Sequence, residues 1–302
     1  MKHYTRTLSL FLFISFAFAQ TQLGSDIDGE AADDYSGYSV SMNSAGDRVA
    51  IGAYGNDGTA SNAGHVRIFE YSNSSWTQIG SDIDGEAAVD YSGTSVSMNS
   101  AGDRVAIGAD YNDGTGEDAG HVRVYEYSNS SWTQLGSDID GEAEGDYSGK
   151  SVSMNSAGDR VAIGAVGHDS PDTSIPYAPN MGHVRVYEYS NSSWTQLGSD
   201  IDGEAAHDQS GVVSMNSAGD RVAIGAIEND GTGSNAGHVR VYEYSNSSWT
   251  QIGSDIDGEA AVDYSGTSVS MNSAGDRVAI GAIGNDGTDT NAGHVRIFDI
   301  PA

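Results

Sequence analysis

A unit of about 56 residues recurs five times along the chain and constrains its fold more than any other feature. The unit starts at positions 23, 79, 135, 197 and 252, in steps of 56, 56, 62 and 55 residues. A supersecondary unit of this length cannot bury its apolar face alone, so its copies must stack on one another. The repeat therefore predicts an architecture of similar modules packed on one another.

Each unit contains four short segments with the composition of β-strands. In the first copy they are residues 39–43, 48–53, 65–71 and 76–83, and they are rich in Val, Ile, Tyr, Phe and Trp. Gly, Asn, Asp and Ser bound each segment, as expected of strands joined by turns. No segment has the 3.6-residue period of a helix. We therefore predict an all-β protein whose units are four-stranded antiparallel blades of a β-propeller.

The two ends of the chain predict how the ring closes. Residues 20–27 match residues 76–83, the fourth strand of a unit, whereas the last copy ends after its third strand. The N-terminal strand can thus supply the strand that the last blade lacks. Closure of this kind removes the exposed edges of the sheets. The expected architecture is five four-stranded blades closed by the N-terminal strand, within a single domain at residues 20–302.

The first 19 residues have the pattern of a secretory signal peptide. Lys2 and Arg6 precede an apolar run at residues 8–18, and Ala17 and Ala19 form an A-x-A cleavage site. The apolar run is shorter than a membrane-spanning helix requires, although a short membrane anchor is the alternative interpretation. We expect cleavage after Ala19 and a secreted, extracellular or cell-surface protein.

Composition excludes several classes of function. The chain has no cysteine, which rules out disulfides and thiolate metal sites. Its net charge of −30 becomes −32 when Lys2 and Arg6 leave with the predicted leader. Such a negative chain disfavours binding to nucleic acids and to anionic membranes. The charge indicates either solubility under salty extracellular conditions or the binding of cations.

One string in every copy resembles a known repeat. It reads S-G-x-S-V-S-M-N-S-A-G-D-R-V-A-I-G-A, with one residue missing near Val212 in the fourth copy, and is followed, after a loop, by G-H-V-R. This string resembles the FG-GAP repeats of integrin-α-type β-propellers, in a secreted, acidic variety found in marine bacteria. Residues 35–37 (Y-S-G) stand where that family has Phe-Gly, and residues 51–53 (I-G-A) where it has Gly-Ala-Pro. The resemblance covers all five copies and implies a propeller that acts in cell adhesion.

Two departures from that family affect what the resemblance implies. Such propellers commonly have seven blades, whereas this chain has five units, so an incomplete or self-assembling ring is an alternative. The family's calcium-binding turn resembles D-x-[DN]-x-D-G between the first two strands. Here the turn carries Ala45 at the third position, and Arg48 follows Asp47. The family's calcium site is therefore not expected in this turn.

The copies differ mainly in their long loops, which a meander places at one end of the sheets. Binding residues tend to lie on loops held by a rigid scaffold, so this rim is the predicted binding face. Neutral variation of loop sequence is the alternative. The third copy also has an insertion at residues 168–180 that contains three of the four prolines of the chain. The predicted binding residues are Tyr54, Asp57, Asp110, Tyr111, Asp113, His168, Asp169, Tyr177, Asp230 and Asp286.

An acidic D-x-D-x-E segment recurs near the start of every copy. Crowded carboxylates repel one another unless cations screen them, and calcium prefers oxygen ligands. Weak calcium sites are thus one interpretation, and capping of turns by Asp is the other. The candidate ligands are Asp26, Asp28, Glu30, Asp82, Asp84, Glu86, Asp138, Asp140, Glu142, Asp200, Asp202, Glu204, Asp255, Asp257 and Glu259. No other cofactor is expected.

Near-identical units do not favour catalysis, which usually needs a unique pair of groups in different environments. The S-V-S-M-N strand predicted to be innermost has no acidic residue that a glycoside hydrolase could use. We therefore predict a non-enzymatic adhesion or interaction module with an extracellular protein or glycan partner. The alternative is a multivalent lectin with one glycan site per blade. The oligomeric state remains open at this stage.

Overall fold

The computed structural model describes residues 20–169 and 179–301, which form 23 β-strands. No helix occurs in these two ranges, so none is long and apolar enough to cross a membrane. The predicted signal peptide and most of the third-copy insertion lie outside the described residues. The all-β class predicted from the sequence is confirmed.

The strands form five antiparallel sheets, one for each repeat, which we call blades 1 to 5. Blade 1 contains β1 (Ser39–Met42), β2 (Arg48–Ala53), β3 (His65–Ser72), β4 (Ser75–Gln78) and β5 (Ile83–Asp84). Blade 2 contains β6 (Ser95–Met98), β7 (Arg104–Ala109), β8 (His121–Ser128), β9 (Ser131–Gln134) and β10 (Ile139–Asp140). Blade 3 contains β11 (Ser148–Met154), β12 (Arg160–Ala165), β13 (His183–Ser190), β14 (Ser193–Gln196) and β15 (Ile201–Asp202).

Blade 4 contains β16 (Ser210–Met215), β17 (Arg221–Ala226), β18 (His238–Ser245), β19 (Ser248–Gln251) and β20 (Ile256–Asp257). Blade 5 contains β21 (Ser265–Met271), β22 (Arg277–Ala282) and β23 (His294–Asp299). Within a blade the first three strands pair in chain order, as in a meander. The first strands lie innermost, where Met98, Met154, Met215 and Met271 line a common cavity.

The fourth predicted strand is two short strands rather than one long strand. In blade 1 both β4 and β5 pair with β3, and residues 79–82 separate them. Gly80 interrupts the strand because it has a φ of +73° and lies against the ring of Trp132 in blade 2. A Cβ atom at this position would approach Trp132 to 2.6 Å, so only glycine fits.

The blades stack through hydrophobic cores that lie between neighbouring sheets. Between blades 2 and 3, Val122, Val124 and Ile139 pack against Met154 and Ile163. Equivalent cores join blades 1 and 2, 3 and 4, and 4 and 5. The stacking also requires glycine, because a Cβ atom on Gly108 would lie 2.1 Å from the carbonyl oxygen of Gly149 in the next blade.

The predicted closure by the N-terminal strand is wrong in its detail. Residues 20–27 form no strand and lie against blade 1, where the Trp76 indole donates a hydrogen bond to the Leu23 carbonyl (2.8 Å). Blade 5 correspondingly has three strands among the described residues. The N-terminal segment packs on the blade that follows it in the chain, as the equivalent segment after β4 does. The Leu23 carbonyl accepts a hydrogen bond from Trp76 of blade 1, just as the Ile79 carbonyl accepts one from Trp132 of blade 2. The β-propeller architecture of five stacked blades is otherwise confirmed.

Candidate functional site

Seven residues of blades 1 to 3 line a cavity of about 260 Å³, which we call the tyrosine cavity. They are Tyr38, Tyr54, Tyr91, Thr94, Asp110, Tyr111 and Lys150. All lie in the Y-S-G-x turn before a first strand or directly after a second strand. Except for the position of Tyr91, these are positions at which the five copies differ, so most of the cavity belongs to the variable part of the repeat.

The tyrosine rings form a continuous row across the three blades. Tyr35 stacks on Tyr54 with ring centroids 5.1 Å apart, and Tyr38 meets the same ring edge-on at 4.6 Å. Tyr54 then contacts Tyr91 at 5.6 Å. Beyond it, Tyr111 lies 5.1 Å from Tyr91 and 5.1 Å from Tyr147. Aromatic pairs at these separations attract one another and hold the row rigid.

The backbone of the Y-S-G turn aims three of these rings at the rim. Tyr35, Tyr91 and Tyr147 have φ values of 53°, 53° and 54°. Bulky residues rarely adopt this left-handed conformation, which costs free energy. Local packing keeps it: the ring of Tyr147 lies on Gly167, where an added Cβ atom would be 2.6 Å from the ring. The strain is repeated in each blade that supplies a tyrosine to the row.

An ion pair between the exposed Lys150 and the buried Asp110 lies among the rings. The Lys150 ammonium donates a hydrogen bond of 2.9 Å to Oδ2 of Asp110, whose side chain is 1 % exposed. Burial lowers the pKa of Lys150, but the Asp110 carboxylate outweighs burial and raises that pKa above its ordinary value. Oδ1 of Asp110 is buried and has no hydrogen-bond partner within the described ranges. The lining of the cavity therefore includes a carboxylate with one unpaired acceptor oxygen.

The tyrosine cavity occurs once in the described part of the array. At the positions after the second strand, where blade 1 has Tyr54, blades 3 to 5 carry Val166, Ile227 and Ile283. Blade 4 also has Gln209 where blades 1 to 3 have the turn tyrosine. Five equivalent sites would require the same side chains in every blade. The geometry thus disfavours five identical binding sites at this rim.

Three predicted binding residues, Tyr54, Asp110 and Tyr111, converge in the cavity. Asp57 has a different position, because its carboxylate accepts a hydrogen bond from the backbone N–H of Asn62 (2.7 Å) in its own loop. Four other predicted aspartates accept the same kind of bond in their loops: Asp113, Asp169, Asp230 and Asp286. Turn capping accounts for these five. Tyr177 lies outside the described residues.

His168 forms a second buried cluster, in blade 3. Its Nδ1 lies 3.2 Å from Oδ1 of Asp146, and its ring stacks on His183 with centroids 3.9 Å apart. Burial lowers the pKa of His168, but the Asp146 carboxylate outweighs burial and raises it. Burial and the neighbouring His168 lower the pKa of His183 to about 3. Within the stack, the surroundings thus favour the protonated form of His168 and the neutral form of His183.

The predicted calcium ligands separate into two kinds of contact. The first aspartate of the segment accepts a hydrogen bond from a glutamine side chain, as Asp82 does from Gln78 at 2.6 Å. Asp26, Asp138, Asp200 and Asp255 do the same. The second aspartate offers its backbone carbonyl to an arginine, as Asp84 does to Arg123 at 2.7 Å. Asp28, Asp140, Asp202 and Asp257 repeat that contact.

The glutamate of each acidic segment lies beside a histidine, buried in blades 1 to 4 and partly exposed in blade 5, and an arginine. Oε2 of Glu30 is 3.8 Å from Nδ1 of His65, and Oε1 is 3.5 Å from Arg67. Donor atoms of Glu30, His65 and Asp82 come within 4.8 Å of one another. Glu86, Glu142, Glu204 and Glu259 have equivalent histidine and arginine neighbours. An imidazole ligand and a nearby guanidinium do not suit calcium, which prefers oxygen ligands alone.

Tyr38, Tyr91 and Lys150 belong to the site but are absent from the binding residues predicted from sequence. Tyr38 and Lys150 occupy a variable position after the S-G pair, and this variability was the available signal. Tyr91 gives no such signal, because four of the five copies have tyrosine there. Only the three-dimensional contact with Tyr54 and Tyr111 assigns it to the cavity.

Comparison with known proteins bears on the fold. No family model and no curated protein matches the chain. Among solved structures, it resembles a 6-phosphogluconolactonase candidate from Bacteroides uniformis (TM-score 0.55, 12 % identity, 86 % of this chain, 71 % of that one). It also resembles hydrazine synthase from Kuenenia stuttgartiensis (TM-score 0.51, 10 % identity, 86 % of this chain, 70 % of that one). At these identities the likeness supports the β-propeller fold alone.

Proposed function

We propose that this protein is a secreted, non-enzymatic β-propeller that binds one extracellular partner per chain through the tyrosine cavity. The observation behind this proposal is the row of six tyrosines that surrounds the Asp110–Lys150 ion pair. Tyrosine is enriched at binding surfaces because it gives a large, rigid contact area at a low cost in conformational entropy. The predicted leader and the resemblance to FG-GAP repeats support an extracellular adhesion or interaction role.

The cavity is suited to one group that combines an apolar face with a hydrogen-bond donor. The rings of Tyr54, Tyr91 and Tyr111 offer faces and edges for stacking, while Oδ1 of Asp110 lacks a donor. A protein partner can supply such a group as a projecting side chain. Anchor residues in buried pockets contribute most of the free energy at many interfaces.

A glycan is the second candidate, and the unpartnered oxygen of Asp110 favours it. Sugar rings pair an apolar C–H face with hydroxyl donors, which matches aromatic rings beside a carboxylate. Because the row spans only blades 1 to 3, this glycan-binding form has one site per chain rather than one per blade. No catalytic role is proposed, since the innermost strands contain no acidic residue.

The test is a binding screen against extracellular proteins and a glycan array, followed by titration of each positive ligand. Tyr54→Ala and Asp110→Asn remove a central ring and the charge of the acceptor. Tyr264→Ala is the control, because Tyr264 holds in blade 5 the turn position that Tyr91 holds in the cavity, but lies outside the cavity itself. We expect at least a tenfold loss of affinity for the two cavity variants, about 1.4 kcal/mol, and no change for the control.

The stoichiometry separates the alternatives. One ligand per chain, lost in the Tyr54→Ala variant, supports the proposal, and the screen then identifies the partner as protein or glycan. Five sugars per chain with unchanged binding by Tyr54→Ala would contradict the proposal in favour of one site per blade. Turnover of a ligand that depends on Asp110 would contradict the non-enzymatic assignment.

A further inference from the structure

Four complete cores join the five blades, and they share one composition. In each pair we call the blade that comes first in the chain the leading blade and the next one the following blade. The leading blade contributes two β-branched residues of its third strand and the isoleucine of its fifth strand. The following blade contributes a valine or methionine of its first strand and two residues of its second. In the pair of blades 1 and 2 these are Val66, Ile68 and Ile83 against Met98 and Ile107.

A fifth core of the same type is split between the two ends of the array. The half that a following blade contributes lies on blade 1, where Val49, Ile51 and Phe69 pack with Ile27. Ile27 corresponds to Ile83, the fifth-strand isoleucine of a leading blade. The remaining leading half lies on blade 5, where Val295 is 66 % and Ile297 is 70 % exposed. Each half lacks the partner that its counterparts have in the four complete cores.

The innermost strand of blade 1 is exposed in the same way. Val40 is 63 % and Met42 is 53 % exposed, although the equivalent Met98 is 7 % exposed between blades 1 and 2. The sequences of these strands are the same, so the difference comes only from the missing neighbour. Both ends of the array therefore present apolar faces that the repeat is built to cover.

The same three hydrogen bonds cross every inner blade interface. The methionine N–H of the following blade donates to a serine Oγ of the leading blade, as Met154 does to Ser97 at 2.9 Å. A leading-blade arginine donates to a turn glycine carbonyl, as Arg104 does to Gly158 at 3.2 Å. A turn serine N–H donates to the next turn's carbonyl, and the other interfaces repeat all three bonds.

The two ends carry complementary halves of these bonds. Blade 5 ends with Ser270, Arg277 and Ser273, which hold the positions of Ser97, Arg104 and Ser100. Blade 1 begins with the Met42 N–H and the Gly46 and Ser44 carbonyls, at the positions of their partners. No crossing bond of this kind is made by either set within the described ranges. Each donor or acceptor that makes no crossing bond at one end of the array thus has its matching group at the other end.

The edge strand of blade 5 matches the N-terminal segment. In blades 1 to 4 the third strand pairs with two short strands, as β3 does with β4 and β5. The strand β23 pairs only with β22 among the described residues. Residues 20–28 align with residues 76–84, the β4 and β5 sequence, and lie against blade 1. The missing strands of blade 5 are therefore already positioned at the far end of the chain.

We propose that a second copy of this chain continues the array, with blade 1 of one copy stacked on blade 5 of the next. The N-terminal segment of the incoming copy then pairs with β23 and completes blade 5. The occupant is a second copy because the chain repeats this interface four times internally. Such a contact joins two different faces, so it generates either a ring of several chains or a filament.

Charge predicts how this assembly responds to salt. Each chain has a net charge of −30, so two copies repel each other over long distances. Salt screens that repulsion, with a Debye length of about 10 Å at 0.1 M and about 3 Å at 1 M. We therefore expect assembly to strengthen as the salt concentration rises.

The test measures the mass of residues 20–302 by analytical ultracentrifugation over a concentration series. One variant carries Val295→Asp with Ile297→Asp, and another carries Val40→Asp with Met42→Asp. These side chains are exposed in the single copy, so both variants keep their own cores. Each alone retains one intact face and stays a monomer. Mixed together, the two variants have one matching pair of faces and form a dimer of defined mass.

Matched controls place the same charge elsewhere. Val89→Asp and Val262→Asp change residues that are 45 % and 47 % exposed in the loops, away from both end faces. We expect these controls to assemble like the unchanged protein. A mixture of the two end variants that gives no dimer would overturn the proposal. It would also be overturned if the unchanged chain stays monomeric while both end variants melt at lower temperature, because the five blades then close within one chain.

Discussion

Blade 1 and blade 5 have nearly the same third strand but opposite environments. In blade 1, Val66 and Ile68 of the strand H-V-R-I-F-E are fully buried. In blade 5, Val295 and Ile297 of H-V-R-I-F-D are 66 % and 70 % exposed. Both strands pair with their second strands in the same register. Secondary structure thus follows from the local sequence, whereas burial depends on whether a further blade lies alongside.

Polar contacts differ between inner and terminal blades in the same way. Arg104 donates to Glu126 and to the Gly158 carbonyl, and its guanidinium lies 5.8 Å from the centre of the Tyr189 ring. Arg277 has the same place in blade 5 and contacts only Asp299 among the described residues. An inner arginine therefore joins two blades, and the terminal one does not.

The largest expected effect compares two isoleucines at one repeat position. Ile68→Ala opens a cavity in a fully buried core, which typically costs about 2–5 kcal/mol of unfolding free energy. Ile297→Ala removes an exposed side chain and should change the same quantity by less than about 0.5 kcal/mol. Urea unfolding of both variants, followed by tryptophan fluorescence at a concentration where the chain is monomeric, gives the two values. Equal losses would show that blade 5 is covered in solution.

The next comparison concerns the pH dependence of the unfolding free energy. Each inner histidine should contribute a slope of at most about 1.4 kcal/mol per pH unit. Burial and Arg123 lower the pKa of His121 to about 4, and His183 is lowered to about 3. Between pH 6.5 and 4 the unfolded chain binds protons that these buried rings do not. Stability should therefore fall as the pH drops through this window. Unfolding free energies at pH 7.5, 6.5, 5.5 and 4.5 measure the slope.

Two variants test whether His121 and His168 affect the pH dependence of stability in opposite directions. His121→Gln should make the acid slope shallower, because it removes a group whose folded pKa is depressed. His168 is the opposite case: its raised pKa stabilises the fold below pH 6.5 and loses that contribution as the pH rises through the raised value. His168→Asn should therefore lower stability more at pH 5.5 than at pH 7.5. An unchanged slope in His121→Gln would refute the first assignment.

The smallest expected effect compares the two arginines. Arg104→Gln removes a partly buried ion pair and the contacts that reach blade 3, and we expect a loss of about 1 kcal/mol. Arg277→Gln removes an exposed pair, which typically contributes about 0–1 kcal/mol, so its loss should be smaller. Melting temperatures of the two variants at 0.1 M and 1 M salt test this difference. A larger loss for Arg277→Gln would indicate that its face is occupied.

The candidate site was only partly predictable from the sequence. Variability after the second strand indicated Tyr54, Asp110 and Tyr111, and the structure brings them together. The aspartates of the N-D-G loops were predicted because they lie on the same rim, but each caps its own loop, as Asp57 does. Sequence variation shows which loops differ, not which side chains face one another. That information depends on the stacking of blades, which brings residues about 56 positions apart into contact.

The sequence by itself determined the first three strands of each blade, their order and the number of blades, because periodicity of two and turn residues act over a few positions. It also determined which face of each strand is apolar. Only the tertiary structure decided that the N-terminal segment packs on blade 1, that the six tyrosines form one row and that blades 1 and 5 remain uncovered. These outcomes depend on how successive blades pack against one another, which no single repeat encodes.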